Sequence, residues 1–115
     1  MNDKSTYMKF LQLAQVIRGL PTFPALDAVE DQLLHIFGSA WATGQRITVL
    51  EAMKSLQDTS ESTVFRRLKS LRAKGMLNLE VDQSDHRTKY VVPTDKTLEY
   101  FSKMGECLIL ASRDE

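Results

Sequence analysis

Apolar residues return along this chain with two periods, near 3.6 over most of its length and 2 over one short stretch. Between residues 6 and 18, Phe10, Leu13, Ala14 and Ile17 recur at helical spacing with Lys9, Gln12 and Gln15 opposite them, which predicts a first amphipathic helix. Gly19-Leu20-Pro21-Thr22-Phe23-Pro24 ends it, because the prolines remove donors and disfavour helical backbone at the residues before them. Asp27 and Glu30 then have the spacing of a capping box. The second helix they open places Leu33, Ile36, Phe37, Ala40 and Trp41 on one face, with Thr43-Gly44 as its stop.

Thr48 and Glu51 repeat the capping spacing before Val49, Leu50, Met53 and Leu56, and Arg46-Ile47 just ahead of them are candidates for one short strand. Asp58 and Glu61 form a third pair of the same kind before a helix over 60–74 that Gly75 ends. Two helices divided by little more than Gln57-Asp58-Thr59 make a helix-turn-helix. After Gly75 the period falls to 2. Leu77, Leu79 and Val81 alternate with Asn78, Glu80 and Asp82, and Thr88-Lys89-Tyr90-Val91-Val92 is rich in β-branched and aromatic residues. The polar segment 83–87 turns one strand into the other. Pro93 stops the second strand, and Thr94-Asp95 caps a last helix carrying Leu98, Phe101, Met104, Cys107 and Leu108.

The predicted fold is mainly α (α+β): a winged helix-turn-helix whose two-stranded wing is flanked by N- and C-terminal helices. A chain of 115 residues fits one domain. It would be divided into an N-terminal helix and connector (6–25), the helix-turn-helix with its wing (27–93) and a C-terminal helix (94–112).

Charge changes this picture where composition does not. Lysines and arginines equal acids over the whole chain, which by itself speaks against a nucleic-acid partner. Between Ser60 and Tyr90, however, seven cations (Arg66, Arg67, Lys69, Arg72, Lys74, Arg87, Lys89) face four acids, so this segment is at +3 and the remainder at −3. One end of the molecule is basic. With Val64, Leu68 and Leu71 turned to the core, a rotation of about 100° per residue puts Ser62, Arg66, Lys69 and Ala73 on the opposite side. Thr63 and Ser70 flank that side on one edge and Phe65 on the other. A hydroxylic, cationic helix of this kind suits the major groove, where arginine and lysine pair with guanine edges. The candidate DNA contacts are Ser60, Ser62, Thr63, Arg66, Arg67, Lys69 and Ser70 on the helix, with Asp85, His86, Arg87 and Lys89 on the hairpin.

In Ser62-Thr63-Val64, Leu71-Arg72-Ala73-Lys74-Gly75-Met76-Leu77, Asp85-His86-Arg87 and Val92-Pro93-Thr94-Asp95-Lys96, the chain resembles the MarR family of winged-helix regulators over roughly residues 26–101. The resemblance implies that Arg87 enters the minor groove with Asp85 holding it, and that Ser62, Thr63, Arg66 and Lys69 follow the major groove. Arg67 departs from the family, where an apolar residue is common; a phosphate contact and a solvated edge are its two readings. The family implies a homodimer through the first and last helices, although its C-terminal part is longer than this one. Phe10, Leu11, Ile17, Phe101, Met104, Leu108 and Ile109 offer more apolar surface than one small domain needs, which agrees with a dimer. A small-molecule effector, of unidentified kind, is also typical of the family.

The blander readings stand beside these. Basic residues on a helix often form only a solvated face, Asp85 is a common turn residue, and His86 is either a phosphate contact or simply exposed. Trp41 with Phe37 reads as core before it reads as a ligand pocket. Cys107, the only cysteine, excludes an internal disulfide and reads as a small apolar residue before a redox sensor. His35 and His86 lack ligand neighbours, so no metal and no cofactor is expected. No phosphate loop, nucleophile elbow or HExxH helix occurs, and no enzymatic activity is expected. No membrane span is predicted, and Met1-Asn2-Asp3-Lys4-Ser5 does not begin like a secretion signal, so the expected location is cytoplasmic. The expectation is a homodimeric regulator, a repressor, that reads double-stranded DNA; the alternative is a winged helix that binds another protein instead.

Overall fold

The computed structural model describes residues 2–113. The chain forms two compact units, one from its ends, up to Ala25 and from Asp95 onward, and one from Leu26–Thr94.

In the unit built from the ends, α1 (Asp3–Arg18) packs along α5 (Asp95–Ser112). α1 starts earlier than the apolar period indicates, because the Asn2 side chain caps it by accepting from the Ser5 amide at 2.9 Å. A short polar cap can set a helix start that hydrophobic spacing does not mark. Ala14, Tyr100, Cys107 and Ala111 are buried, and Phe23 from the connector meets Tyr100 edge-on at 5.2 Å.

The middle unit runs α2 (Ala28–Ala42), β1 (Ile47–Thr48), α3 (Val49–Met53), α4 (Glu61–Ala73), β2 (Leu77–Val81) and β3 (Lys89–Pro93). Its core is Leu33, Leu34, Phe37, Ala52, Val64, Leu68, Leu71, Met76, Leu77 and Val91, with Ile47 closing one side. Both capping boxes form, Asp27 with Glu30 and Thr48 with Glu51. α2 and α4 end alike, since Gly44 and Gly75 take left-handed backbone (φ 75° and 77°). In each case the next amide returns to the helix, Gln45 to the Ala40 carbonyl and Met76 to that of Leu71, the Schellman arrangement that favours glycine.

The short strand offered at Arg46-Ile47 forms one residue later, as Ile47–Thr48, and joins the wing: the sheet has three strands in the order β1-β3-β2, with Ile47 opposite Val91 and Leu79 opposite Val91 on the other side. Two expectations need correction. α3 is a single short turn ending at Met53, so Leu56 lies in the connection 54–60, outside any helix. Asp58 is not a cap: Ser60 caps α4 by accepting from the Thr63 amide at 3.2 Å. Along β2 burial fades toward the tip, from buried Leu77 through half-buried Leu79 to exposed Val81, because the hairpin leaves the core there. Trp41 is tied to the sheet, its indole N–H donating to the Val91 carbonyl at 3.2 Å.

Candidate nucleic-acid interface

The outward side of α4 is set by its core side. With Val64, Leu68 and Leu71 fully or nearly buried, Ser62, Arg66 and Lys69 are exposed. A chain of hydroxyls opens the helix. Ser60 donates to Thr63 Oγ1 at 2.9 Å, and the Arg66 guanidinium donates to that same oxygen at 3.1 Å. This fixes the arginine along the first turn of the helix. The Lys69 ammonium lies 4.6 Å from the centroid of the Phe65 ring, a cation–π contact.

Arg67 and Ser70 sit elsewhere. Both are half-buried and turn toward α2. Arg67 Nε comes within 2.6 Å of Asp27 Oδ2 as an ion pair, yet its N–H is not aimed at that oxygen and makes no hydrogen bond. Ser70 donates at 2.7 Å to Glu30 Oε2, and the Lys74 ammonium donates at 2.7 Å to Oε1 of the same carboxylate. Glu30 is 1% exposed. Burial pushes its carboxyl up, but the hydrogen bonds from Lys74, the Asp27 amide and Ser70, with the Lys74 charge, outweigh this and leave it lowered. Thus the start of α2 clamps the inner edge of α4, while the outer edge stays open.

Two carboxylates build the wing tip. Asp82 accepts from the Ser84 hydroxyl (2.8 Å), the Asp85 amide (2.8 Å) and the Tyr90 hydroxyl (3.2 Å). Asp85 accepts from the Arg87 amide (3.1 Å) and the Thr88 hydroxyl (3.1 Å) and stands 3.4 Å from Arg87 Nε. Hydrogen bonds from Ser84 and the Asp85 amide hold Asp82 below the usual aspartate range, and those from Arg87 and Thr88 do the same for Asp85. Desolvation, then the Asp82 charge, raises Tyr90. Arg87 projects from this turn with its side chain 94% exposed; His86 and Lys89 are exposed beside it.

Between α3, α4 and the wing lies a cleft of about 520 Å³. Leu50, Met53, Phe65 and Leu79 give it an apolar wall, and Lys69, Arg72, Arg87 and Lys89 line it with positive charge; no acidic side chain does. Among the described residues no group of three or more His, Cys, Asp or Glu is placed to hold a metal ion, and no helix is long and apolar enough to cross a membrane.

No family model and no curated protein matches the sequence. Solved structures do. A MepR mutant from S. aureus bound to an oligodeoxyribonucleotide is similar with a TM-score of 0.64 at 19% identity, over 97% of this chain and 81% of that one. A transcriptional regulator from Thermotoga maritima gives 0.60 at 21% identity, over 91% of this chain and 66% of its own. A MarR-like transcriptional regulator of the same organism gives 0.59 at 21%, over 99% and 84%. The fold is the winged helix of the MarR-type regulators. This chain spans 66% of the length of the first T. maritima regulator.

Within this winged helix, Ser60, Ser62 and Thr63 lie at the start of α4 and Arg66 and Lys69 follow along its outward side, with Asp85, His86, Arg87 and Lys89 on the wing. Arg67 and Ser70 are drawn away to α2. Sequence reasoning missed Arg72 and Leu50 as neighbours of the site. Arg72 was legible, since the helical rotation that places Phe65 on one edge of α4 places Arg72 beside it. Leu50 was not, because only the packing of α3 leaves it 67% exposed.

Proposed function

We propose that this chain is a sequence-specific, double-stranded-DNA-binding transcriptional regulator, a repressor, acting as a homodimer in the cytoplasm. The observation that carries the reading is the pair of exposed cationic elements, Arg66 and Lys69 on α4 and Arg87 on the wing tip, on either side of a cleft lined by no acid. α4 enters the major groove, Arg66 pairs with a guanine edge, and Arg87 reaches the adjoining minor groove. Ser60, Ser62 and Thr63 bring hydroxyls and the first amides of α4 to phosphate. The DNA-bound MepR mutant shares this fold.

Fluorescence anisotropy across a salt series tests it. Affinity for a bound duplex should fall with a log–log slope of several units as counterions are released, and salt-independent binding would contradict the reading. Arg87→Ala should leave guanine preference intact and reduce the preference for A·T pairs beside the half-site.

The homodimer rests on the unit built from the chain ends. Leu11, Leu108 and Ile109 are exposed, as are Tyr7, Met8 and Leu110, while Phe10, Ile17, Phe101 and Met104 are half-buried. A two-fold pairing through α1 and α5 covers such a surface and sets two recognition helices for half-sites about one helical turn apart. Leu108→Glu with Ile109→Glu should shift the sedimenting species from dimer to monomer; an unchanged mass removes this part of the proposal. BpsR from Bordetella bronchiseptica, of the same fold, has its DNA binding regulated by 6-hydroxynicotinic acid; a small-molecule effector belongs to the present reading as well.

A further inference from the structure

Phe65 is an aromatic side chain left 38% exposed on a helix whose neighbouring surface is cationic and hydroxylic. It does not share the outermost line of α4 with Arg66. Helical rotation places it about a quarter turn away, on the side where α4 faces the wing, and there it lines the cleft with Leu50. The Lys69 ammonium rests on it at 4.6 Å, an orienting contact that favours the ring face and leaves other parts of the ring to meet a ligand.

A duplex engaged as proposed above brings a particular group to this place. With α4 in the major groove and Arg87 in the next minor groove, the sugar–phosphate strand dividing the two grooves must pass over the cleft, where Lys69, Arg72, Arg87 and Lys89 supply positive charge on both sides. The edge of the major groove beside that strand is where a thymine presents its 5-methyl group, the one apolar group on the major-groove edge of the bases. Cytosine in the same place presents a C–H and an amino donor, which an aromatic ring and an aliphatic side chain do not satisfy.

We infer that Phe65 is a specificity-determining residue that reads a thymine 5-methyl group at the major-groove edge, beside the base pair met by Arg66. Leu50 extends the same apolar wall from α3. This rests on the DNA-binding reading and adds to it an apolar half of the recognition code that the cationic residues cannot provide.

The test uses a duplex selected from a random-sequence pool by the wild-type protein, with each thymine replaced in turn by deoxyuridine, which removes the methyl and nothing else. At one thymine in each half-site the wild type should lose about fourfold in affinity, as expected for one methyl group returned to water. Phe65→Ala should bind the parent duplex more weakly and be indifferent to the methyl at that thymine, while Phe65→Leu should keep part of the penalty. The interaction between protein and DNA changes, not the loss in either alone, carries the result, and melting curves establish that both variants fold. A wild type indifferent to every methyl, or a Phe65→Ala variant with the full wild-type penalty, overturns the inference while the DNA-binding reading stands. Retention of no duplex at all overturns the DNA-binding reading, and this one with it.

Discussion

Arg66→Glu should weaken duplex binding by more than about a hundredfold, because removal of a base-reading arginine alone costs about 1–3 kcal/mol and a carboxylate in its place adds repulsion from the phosphates. The melting temperature should hardly move. Arg66 is exposed and donates to Thr63 Oγ1, and surface substitutions of this kind stay within about 0.5 kcal/mol. Arg67→Glu, one residue along, is the contrasting case. It sets a carboxylate against Asp27, with which Arg67 Nε now pairs at 2.6 Å, so its main effect should be on stability and its effect on binding smaller. Titrations of both variants against one selected duplex, with melting curves alongside, read the two effects separately. If Arg66→Glu binds as the wild type does, the outer side of α4 is not the surface that meets DNA, and the functional proposal falls.

The contrast between Arg66 and Arg67 also shows where sequence reasoning stops. The order of helices, the glycine stops at Gly44 and Gly75 and the outward line of Ser62, Arg66 and Lys69 follow from local chemistry, periodicity and caps, which a sequence displays directly. Arg67 and Ser70 required knowledge of what stands across from them. Asp27 and Glu30 were legible as a capping pair, yet nothing local says that Glu30, far from α4 in sequence, also receives Ser70 and Lys74. The short strand at Ile47 was legible, but its partner was not, for the same reason: the pairing of Ile47 with Val91 is decided by tertiary contact. The cleft wall at Leu50 and Phe65 belongs to this class too, because exposure of an apolar residue is a property of packing.

The buried carboxylate makes the second large prediction. Glu30→Ala should cost about 3 kcal/mol of stability near neutral pH, the low end of the range for breaking a buried pair, since the Lys74 side chain is 31% exposed and can turn to water. Glu30→Gln retains the shape but loses the charge, and the pH dependence of the difference identifies what the charge does. In the folded protein Glu30 is lowered: burial opposes ionisation, and the hydrogen bonds from Lys74, the Asp27 amide and Ser70 overcome it. A carboxyl lowered on folding contributes stability that is complete above its unfolded value and is lost as pH falls through its folded value. Wild type should therefore exceed Glu30→Gln in urea midpoint at neutral pH, with the gap closing on the acid side of the ordinary glutamate range. A gap that stays constant into strong acid would mean that the ionisation of Glu30 contributes nothing to it. The same residue links stability to recognition, because Ser70 and Lys74, both donating to it, fix α2 against the inner edge of α4. Loosening that clamp should weaken DNA binding only as far as it lowers the folded population, so Glu30→Gln, corrected for its folded fraction, should bind nearly as the wild type does where Arg66→Glu does not.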